Sequence, residues 1–168
     1  MSVIKSMVRA KYADNISTDD MTPSKFLDTF IPEELAKICM NDIDPDFPTR
    51  MAPGGVVVGR MNFGCGSSRE TAPIAMKACN VKVIIAGEVA RIFYRNCINI
   101  GLPVLECTEA YDKIDLDDDL DVNLETGVII NNTKGEKYQA SPIPPFLLDI
   151  INEGGLLEVL KKRVANQK

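Results

Sequence analysis

There is no histidine in this chain. The absence removes the side chain that most often serves as general base, proton shuttle or metal ligand near neutral pH. Any serine that does chemistry here lacks its usual activating partner within the chain. Cysteine is sparse and badly spaced for metals: Cys39, Cys65, Cys79, Cys97 and Cys107 form an odd set of five with no CxxC. That argues against a disulfide framework and against a self-contained zinc or iron-sulfur site, and leaves free, buried thiols as the expectation. Basic residues are in deficit, with 19 Lys and Arg against 24 Asp and Glu for a formal net charge of −5. No basic run offsets this, so a nucleic-acid partner is not expected. No apolar window approaches membrane-spanning length, and the start MSVIKSMVRAKY alternates polar and apolar residues without the apolar core of a signal peptide. The expectation is a cytoplasmic protein with no membrane partner.

What is present suffices for a sizeable core: 168 residues, 45% hydrophobic, with one domain expected over 1–168. Residues 2–12 read as a strand, and DNISTDDMTPSKF, rich in Asp, Ser, Thr and Pro, as a loop. IPEELAKICM, with proline near its first turn and Leu35, Ile38 and Cys39 at helical spacing, predicts a short helix. NDIDPDFPTRMAPGG reads as irregular. GVVVG is a β-branched strand that leads through RMNFGCGSS into a helix with Ala72, Ala75, Met76 and Cys79 on its apolar face. VKVIIAG is a buried-type strand. EVARIFYRNCINIG is a helix with Val89, Ile92, Phe93, Cys97 and Ile100 on one side, and PVLEC is another strand. The middle of the chain is thus an α/β unit. LDVNLETGVIINNTKGEKYQA reads as a hairpin or meander with turns at ETG and TKG. The tail gives two helical segments separated by Gly154 and Gly155. The acidic run at 115–121 lacks the glycine and terminal glutamate of a calcium loop and reads as a solvated loop.

The segment GCGSSRETAP, residues 64–73, concentrates the chemistry. A glycine-rich turn from strand to helix leaves backbone N–H groups unpaired at a helix start, which suits an anion. Ser67 and Ser68 either cap that helix or donate to a bound oxyanion, and Arg69 adds a two-point fork for a carboxylate. A Walker-type phosphate loop is excluded, because its lysine is missing and the spacing differs. Arg91 and Arg95 fall on the polar side of the following helix and read as structural or solvated.

NFGCGSSRE, followed by IIAGEVARIFYRNCINIGLPVLEC and preceded by DNISTDDMTPSKFL, closely resembles the small subunits of 3-isopropylmalate dehydratase, within the aconitase superfamily. The match runs from about residue 3 to the C-terminal helix, with DPDFP and the LETG turn included. The resemblance implies an α/β fold, a single swivelling β/β/α domain as in the aconitase C-terminal domain. It also implies a separate large subunit that carries a [4Fe-4S] cluster and the acid-base histidines, with no cofactor or metal on this chain. The implied reaction dehydrates and rehydrates a small dicarboxylate 2-hydroxy acid. On the matching positions, Ser67 resembles the serine that takes the proton from carbon. Ser68 and Arg69 resemble residues that hold a substrate carboxylate, and Thr18 and Asp19 belong to a Ser-Thr-Asp piece that lines the same cleft.

Within the resemblance, the substrate is read by Lys25, Phe26, Leu27, Asp28 and Thr29. Relatives that take a tricarboxylate have an arginine in this stretch, and here it is missing. A buried carboxylate without a partner costs several kcal/mol, which favours an alkyl substituent. Isopropylmalate is the first expectation; 2,3-dimethylmalate and citramalate differ from it by methyl groups worth only about 1–3 kcal/mol each in discrimination. Homoaconitate remains open through Lys25, and a non-catalytic carboxylate-binding regulatory domain is the alternative of another class. The chain departs from the family pattern at Thr71, where many relatives have histidine, and at Glu88-Val89, where relatives often have Ser-Phe.

Overall fold

The computed structural model describes residues 3–26 and 29–165. The described residues form seven strands: β1 (Val3–Tyr12), β2 (Gly55–Gly59), β3 (Val81–Ala86), β4 (Val104–Glu106), β5 (Asp119–Asn123), β6 (Val128–Asn131) and β7 (Glu136–Gln139). They lie in one curled sheet in the order β4-β3-β2-β1-β5-β6-β7. β1 is the only member of both halves. Its first residues, Val3–Met7, pair antiparallel with β5, and from Val8 onward it pairs parallel with β2. The change of partner coincides with a bulge that leaves Arg9 as the extra residue between Val8 and Ala10. A second bulge at Lys82 lies beside the same strand, since Val81 and Val83 pair with Gly55 and Val56. A bulged residue is freed from the alternation of faces, which is how a lysine is tolerated within an otherwise buried strand.

GVVVG packs on both faces, as a fully apolar run must. Val57 joins Ile84, Ala86 and Val104 in one core cluster, while Val56 and Val58 join Val83, Ile85 and Leu105 in the other. Helices α1 (Thr18–Met21), α2 (Pro32–Ile38), α3 (Phe47–Met51), α4 (Thr71–Ala78) and α5 (Arg91–Asn99) contribute Met21, Leu35, Phe47, Ala75 and Phe93 to the first cluster. The second face is closed by the meander and by α6 (Ala110–Lys113) and α7 (Pro145–Asn152), through residues such as Ala110, Leu120, Ile129 and Leu148. The chain ends in α8 (Leu156–Ala165), in which no residue is buried.

Three readings of the sequence are corrected. The expected loop at 14–26 contains α1 and a 3-10 turn, Ser24–Phe26. The same Ser and Asp that argued for a loop form a capping box: Ser17 Oγ accepts from the Asp20 N–H at 3.1 Å, and Asp20 Oδ2 accepts from the Ser17 N–H at 2.7 Å. The expected irregular stretch before β2 contains α3, held because Phe47 and Met51, one turn apart, are both buried. On α5 the buried stripe is Phe93, Cys97 and Ile98, whereas Ile92 is 53% exposed. Val89 precedes the helix and is held in a bridge to Phe63, so it belongs to no helical face.

The end of β1 is tied to α3 by a polar knot. Tyr12 Oη donates to Asp44 Oδ2 at 2.6 Å, Arg50 donates to both oxygens of Asp44, and Arg50 Nε donates to the Arg9 carbonyl at 2.8 Å. Burial and the adjoining carboxylate push the Tyr12 hydroxyl well above its ordinary range. Burial acts to raise the Asp44 carboxyl, but hydrogen bonds from Arg50 and Tyr12 outweigh it and hold it below the ordinary value. Asp44 therefore adds stability that is present above its unfolded pKa of about 4 and is lost as pH falls through its lower folded value. Tyr12 adds stability that is present below its unfolded pKa of about 10 and is lost as pH rises towards its higher folded value. Tyr12→Phe should cost about 1.5–3 kcal/mol in urea unfolding at pH 7, the range for a hydrogen bond to a charged group. The variant should also lose less stability than the parent between pH 9 and 11; equal alkaline slopes would remove Tyr12 as the cause.

Candidate functional site

The parallel strands β1, β2 and β3 end at Tyr12, Gly59 and Ala86, and the segments that follow them are hydrogen-bonded to one another. The Gly64 N–H donates to the Ile16 carbonyl at 2.7 Å and the Thr18 N–H to the Cys65 carbonyl at 2.8 Å. On the other side the Phe63 N–H donates to the Glu88 carbonyl at 3.0 Å, and the Ala90 N–H to the Phe63 carbonyl at 2.9 Å. The glycine loop is thus held between the loop after β1 and the loop after β3. This is the carboxyl end of a parallel sheet, the place where α/β proteins bind ligands.

Two glycines make the loop possible. Gly64 has φ of 78°, and a Cβ there would lie 2.3 Å from Phe93 Cγ. Phe93 is itself fixed, buried and edge-on to Phe63 at a ring separation of 5.9 Å. Gly66 has φ of 96°, and the space beside it is open up to Thr18 Oγ1 at 3.4 Å; conformation, not room, demands the glycine there.

The loop delivers Ser67 and Ser68 to solvent and leaves Arg69 half-buried. Neither serine caps α4. The N-cap position is Glu70, and it makes no side-chain cap hydrogen bond. Among the described residues, the backbone N–H groups of Gly66 to Glu70 have no partner. Ser67 is gripped by Thr18, whose Oγ1 lies 3.1 Å from the Ser67 carbonyl oxygen and 3.2 Å from Ser67 Oγ. The Ser68 carbonyl accepts from Asn96 Nδ2 at 3.3 Å. Arg69 Nη1 donates to Asp19 Oδ1 at 2.7 Å and to the Thr22 carbonyl at 3.1 Å. Its Nε–Nη2 edge has no partner among the described residues. The hydrogen bond from Arg69 holds the Asp19 carboxyl below its ordinary value, with Ser24 adding to the shift. Behind them Thr71 is buried, its hydroxyl 3.2 Å from that of Thr22.

Thr18, Asp19, Ser67 and Arg69 are therefore brought together, with Ser68 adjacent to them in the loop. The stretch 25–29 is only partly placed. Lys25 Nζ bonds Asp42 at 2.9 Å. Phe26 closes the 3-10 turn, Thr29 Oγ1 accepts from the Ile31 N–H at 3.1 Å, and Leu27 and Asp28 lie outside the described residues. Just before this stretch, the Ser24 N–H donates to Asp19 Oδ1 at 3.0 Å. Sequence reasoning missed Thr22, which acts through its carbonyl, and Asn96, which reaches Ser68 across 28 residues. A backbone acceptor carries no side-chain signal, and a surface asparagine on a helix gives little more. Arg91 and Arg95 are exposed and join no ion pair among the described residues. The acidic run is cross-braced, with Asp115 to Lys11 and Lys134, and Asp121 to Lys5.

The thiols do not suit a cluster. Cys39, Cys79, Cys97 and Cys107 are buried in the two core clusters, and only Cys65, in the glycine loop, is partly exposed. Among the described residues no three Cys, Asp or Glu side chains converge as metal ligands, and no helix is long and apolar enough to cross a membrane.

A parallel sheet extended by an antiparallel meander, with a Gly-Ser-Ser-Arg loop at its carboxyl end, defines a domain of the aconitase C-terminal class, and the family model described as the aconitase C-terminal domain matches residues 40–110. The chain is 52% identical over 151 residues to a 3-isopropylmalate dehydratase small subunit of Caldicellulosiruptor bescii, covering 90% of this chain and 91% of that one. It is 46% identical over 167 residues to an isopropylmalate/citramalate isomerase small subunit of Methanocaldococcus jannaschii, covering 99% of each. A crystal structure of 3-isopropylmalate dehydratase from M. jannaschii superposes with a TM-score of 0.90 at 38% identity, over 98% of this chain and 97% of that one. The chain belongs to the family of 3-isopropylmalate dehydratase small subunits.

Gly64→Ala should lower the melting temperature by about 5–15 °C, because a left-handed alanine and a displaced Phe93 together cost about 2–5 kcal/mol in a chain of this size. Thermal unfolding followed by circular dichroism measures this, and an unchanged midpoint would show that the loop relaxes freely away from Phe93.

Proposed function

We propose that this chain, acting over 1–168 as one swivelling domain, supplies half of the active site of a two-subunit hydro-lyase that isomerises a substituted malate, with isopropylmalate the first choice. One observation carries the reading: an exposed serine, braced by Thr18 and next to an Arg69 whose outer edge is open, sits in a chain that has no imidazole to activate it. A site with a proton acceptor and an anion fork but no acid-base partner is completed by a second molecule. The resemblance assigns the [4Fe-4S] cluster and the histidines to the large subunit. The thiols of this chain offer that cluster no ligand set, so its part in the reaction falls to its serines, its arginine and its loop N–H groups.

Arg69 would take a substrate carboxylate on its Nε–Nη2 edge in two-point geometry. Asp19 and the Thr22 carbonyl hold the other side of the guanidinium, so little side-chain freedom is lost on binding. Ser68 and the unpaired N–H groups of the loop would take carboxylate oxygens. Ser67 Oγ would accept the proton from the carbon adjacent to the hydroxyl-bearing one. Guanidinium and N–H dipoles lower the cost of negative charge on that oxygen. Polarisation of the departing hydroxyl is left to the partner subunit.

The substrate class follows from charge. The one cation of the stretch 25–29 is Lys25, and its ammonium bonds Asp42, so no arginine or uncommitted positive charge there favours a third carboxylate. The M. jannaschii relative named for isopropylmalate and citramalate supports a substituted malate with a small alkyl group. In the complex with its large subunit, kcat/KM should rank isopropylmalate and citramalate well above homoaconitate; the reverse order would sink this assignment.

In the same complex Ser67→Ala should lower kcat by roughly three orders of magnitude or more with KM within about threefold, as for loss of a group that acts in the transition state. Asp19→Ala should instead raise KM about tenfold, because Arg69 loses the partner that orients it. Near-normal turnover of Ser67→Ala would reduce this serine to a loop residue.

A further inference from the structure

The Thr18 hydroxyl is within reach of two oxygens of a single residue, 3.1 Å from the Ser67 carbonyl oxygen and 3.2 Å from Ser67 Oγ. Thr18 is 1% exposed, so its hydroxyl cannot turn to solvent. Its backbone is fixed as well: the N–H donates to the Cys65 carbonyl at 2.8 Å, and the carbonyl accepts from the Thr22 N–H at 3.0 Å. The glycine at position 66, left-handed and without a side chain, leaves the approach to Thr18 Oγ1 open at 3.4 Å from where a Cβ would stand.

A hydroxyl carries one proton and can give it to only one acceptor at a time. In the neutral pair, Thr18 donates to the Ser67 carbonyl and Ser67 donates to Thr18 Oγ1. This satisfies both hydroxyls and leaves the Ser67 lone pairs for the cleft. If Ser67 Oγ bears negative charge it becomes the stronger acceptor, and rotation about the Thr18 Cβ–Oγ1 bond brings the proton to it as a charge-assisted bond. We propose that Thr18 is a positioning residue for Ser67, a donor with two settings that stabilises the charged oxygen and returns to the carbonyl once Ser67 is protonated.

This deepens the function proposed for the chain and rests on Ser67 as the proton acceptor. In the dehydration direction Ser67 starts as the alkoxide that the preceding rehydration leaves when it returns the proton to carbon; the substrate C–H bond breaks and the Ser67 Oγ–H bond forms. The electron pair of the C–H bond becomes the double bond as the hydroxyl leaves the neighbouring carbon with the C–O pair, as hydroxide taken up on the side of the cleft that the partner subunit would supply. The Thr18 proton never leaves its oxygen. Rehydration reverses each change. Thr18 is buried under Ser67, so it acts through that serine and needs no contact with substrate.

The test uses the assembled two-subunit enzyme with 3-isopropylmalate, protiated and deuterated at the carbon that loses its proton, and compares Thr18→Val, Thr18→Ser and Ser67→Ala. Thr18→Val keeps the shape and removes the donor. It should lower kcat about 10–100-fold with KM within about threefold, and raise the deuterium isotope effect on kcat because proton abstraction becomes slower relative to other steps. Thr18→Ser should restore kcat to within about threefold of the parent, since it keeps the hydroxyl. Thermal melting and co-purification with the large subunit confirm folding and assembly. Should Thr18→Val not assemble, Thr18→Cys, a weak donor of similar size, carries the same comparison. Parent-like kinetics in the variant without the donor, equal loss in Thr18→Ser, or a loss confined to KM with an unchanged isotope effect would each overturn the proposal. An active Ser67→Ala would instead overturn the assignment of Ser67, which is a separate result.

Discussion

The site depends on a short parallel bridge, in which Gly64 donates to Ile16 and Thr18 to Cys65. With the Asn15 N–H, which donates to the Met61 carbonyl at 2.9 Å, three backbone hydrogen bonds join the loop after β1 to the loop after β2. The side-chain geometry of the site follows from that junction. It sets Thr18 under Ser67, and it puts Asp19, the next residue, level with Arg69. It is made possible by Gly64, which takes a left-handed φ of 78° and has no Cβ to strike the ring of Phe93. The rigidity of the site is therefore borrowed from an aromatic pair in the core.

The electrostatics of the loop are those of an exposed surface. Arg69 is neutralised on one edge by Asp19 and by a carbonyl dipole, and is open on the other. The serines are exposed, and the loop N–H groups have no partner among the described residues. In water such an arrangement binds anions weakly, because the dielectric screens it. Closure by a partner would exclude water and strengthen each of these interactions without moving them. Under the function proposed above, well-fixed parts of this kind would belong to a subunit whose remaining chemistry is supplied by its partner.

The sheet supplies the frame through one strand. β1 belongs to both the parallel half that ends at the site and the antiparallel half that closes the second core cluster. Bulges at Arg9 and Lys82 on either side of Val56 let the sheet curl, so that the meander folds over the face opposite α4 and α5. The knot of Tyr12, Asp44 and Arg50 then fixes the end of β1, only a few residues before the segment that reaches the glycine loop.

Much of this was legible in the residues. GVVVG and VKVIIAG are apolar runs that no exposed strand tolerates, and the glycines of GCGSS, followed by an apolar helical face, announced a strand–turn–helix with its anion-suited start. Short polar stretches were harder to read, because Ser, Asp and Pro serve loops and helix starts equally. A capping box at Ser17 and the burial of Phe47 and Met51 settled them as helices. The sequence by itself determined the α/β class, the glycine loop and the residue types at the site, since these follow from periodicity and from the left-handed turn conformations that glycine favours. Tertiary structure decided which of those residues meet. Asp19 and Arg69 are 50 positions apart and Thr18 and Ser67 are 49 apart, and no local pattern records a contact created only when two strand ends are drawn side by side.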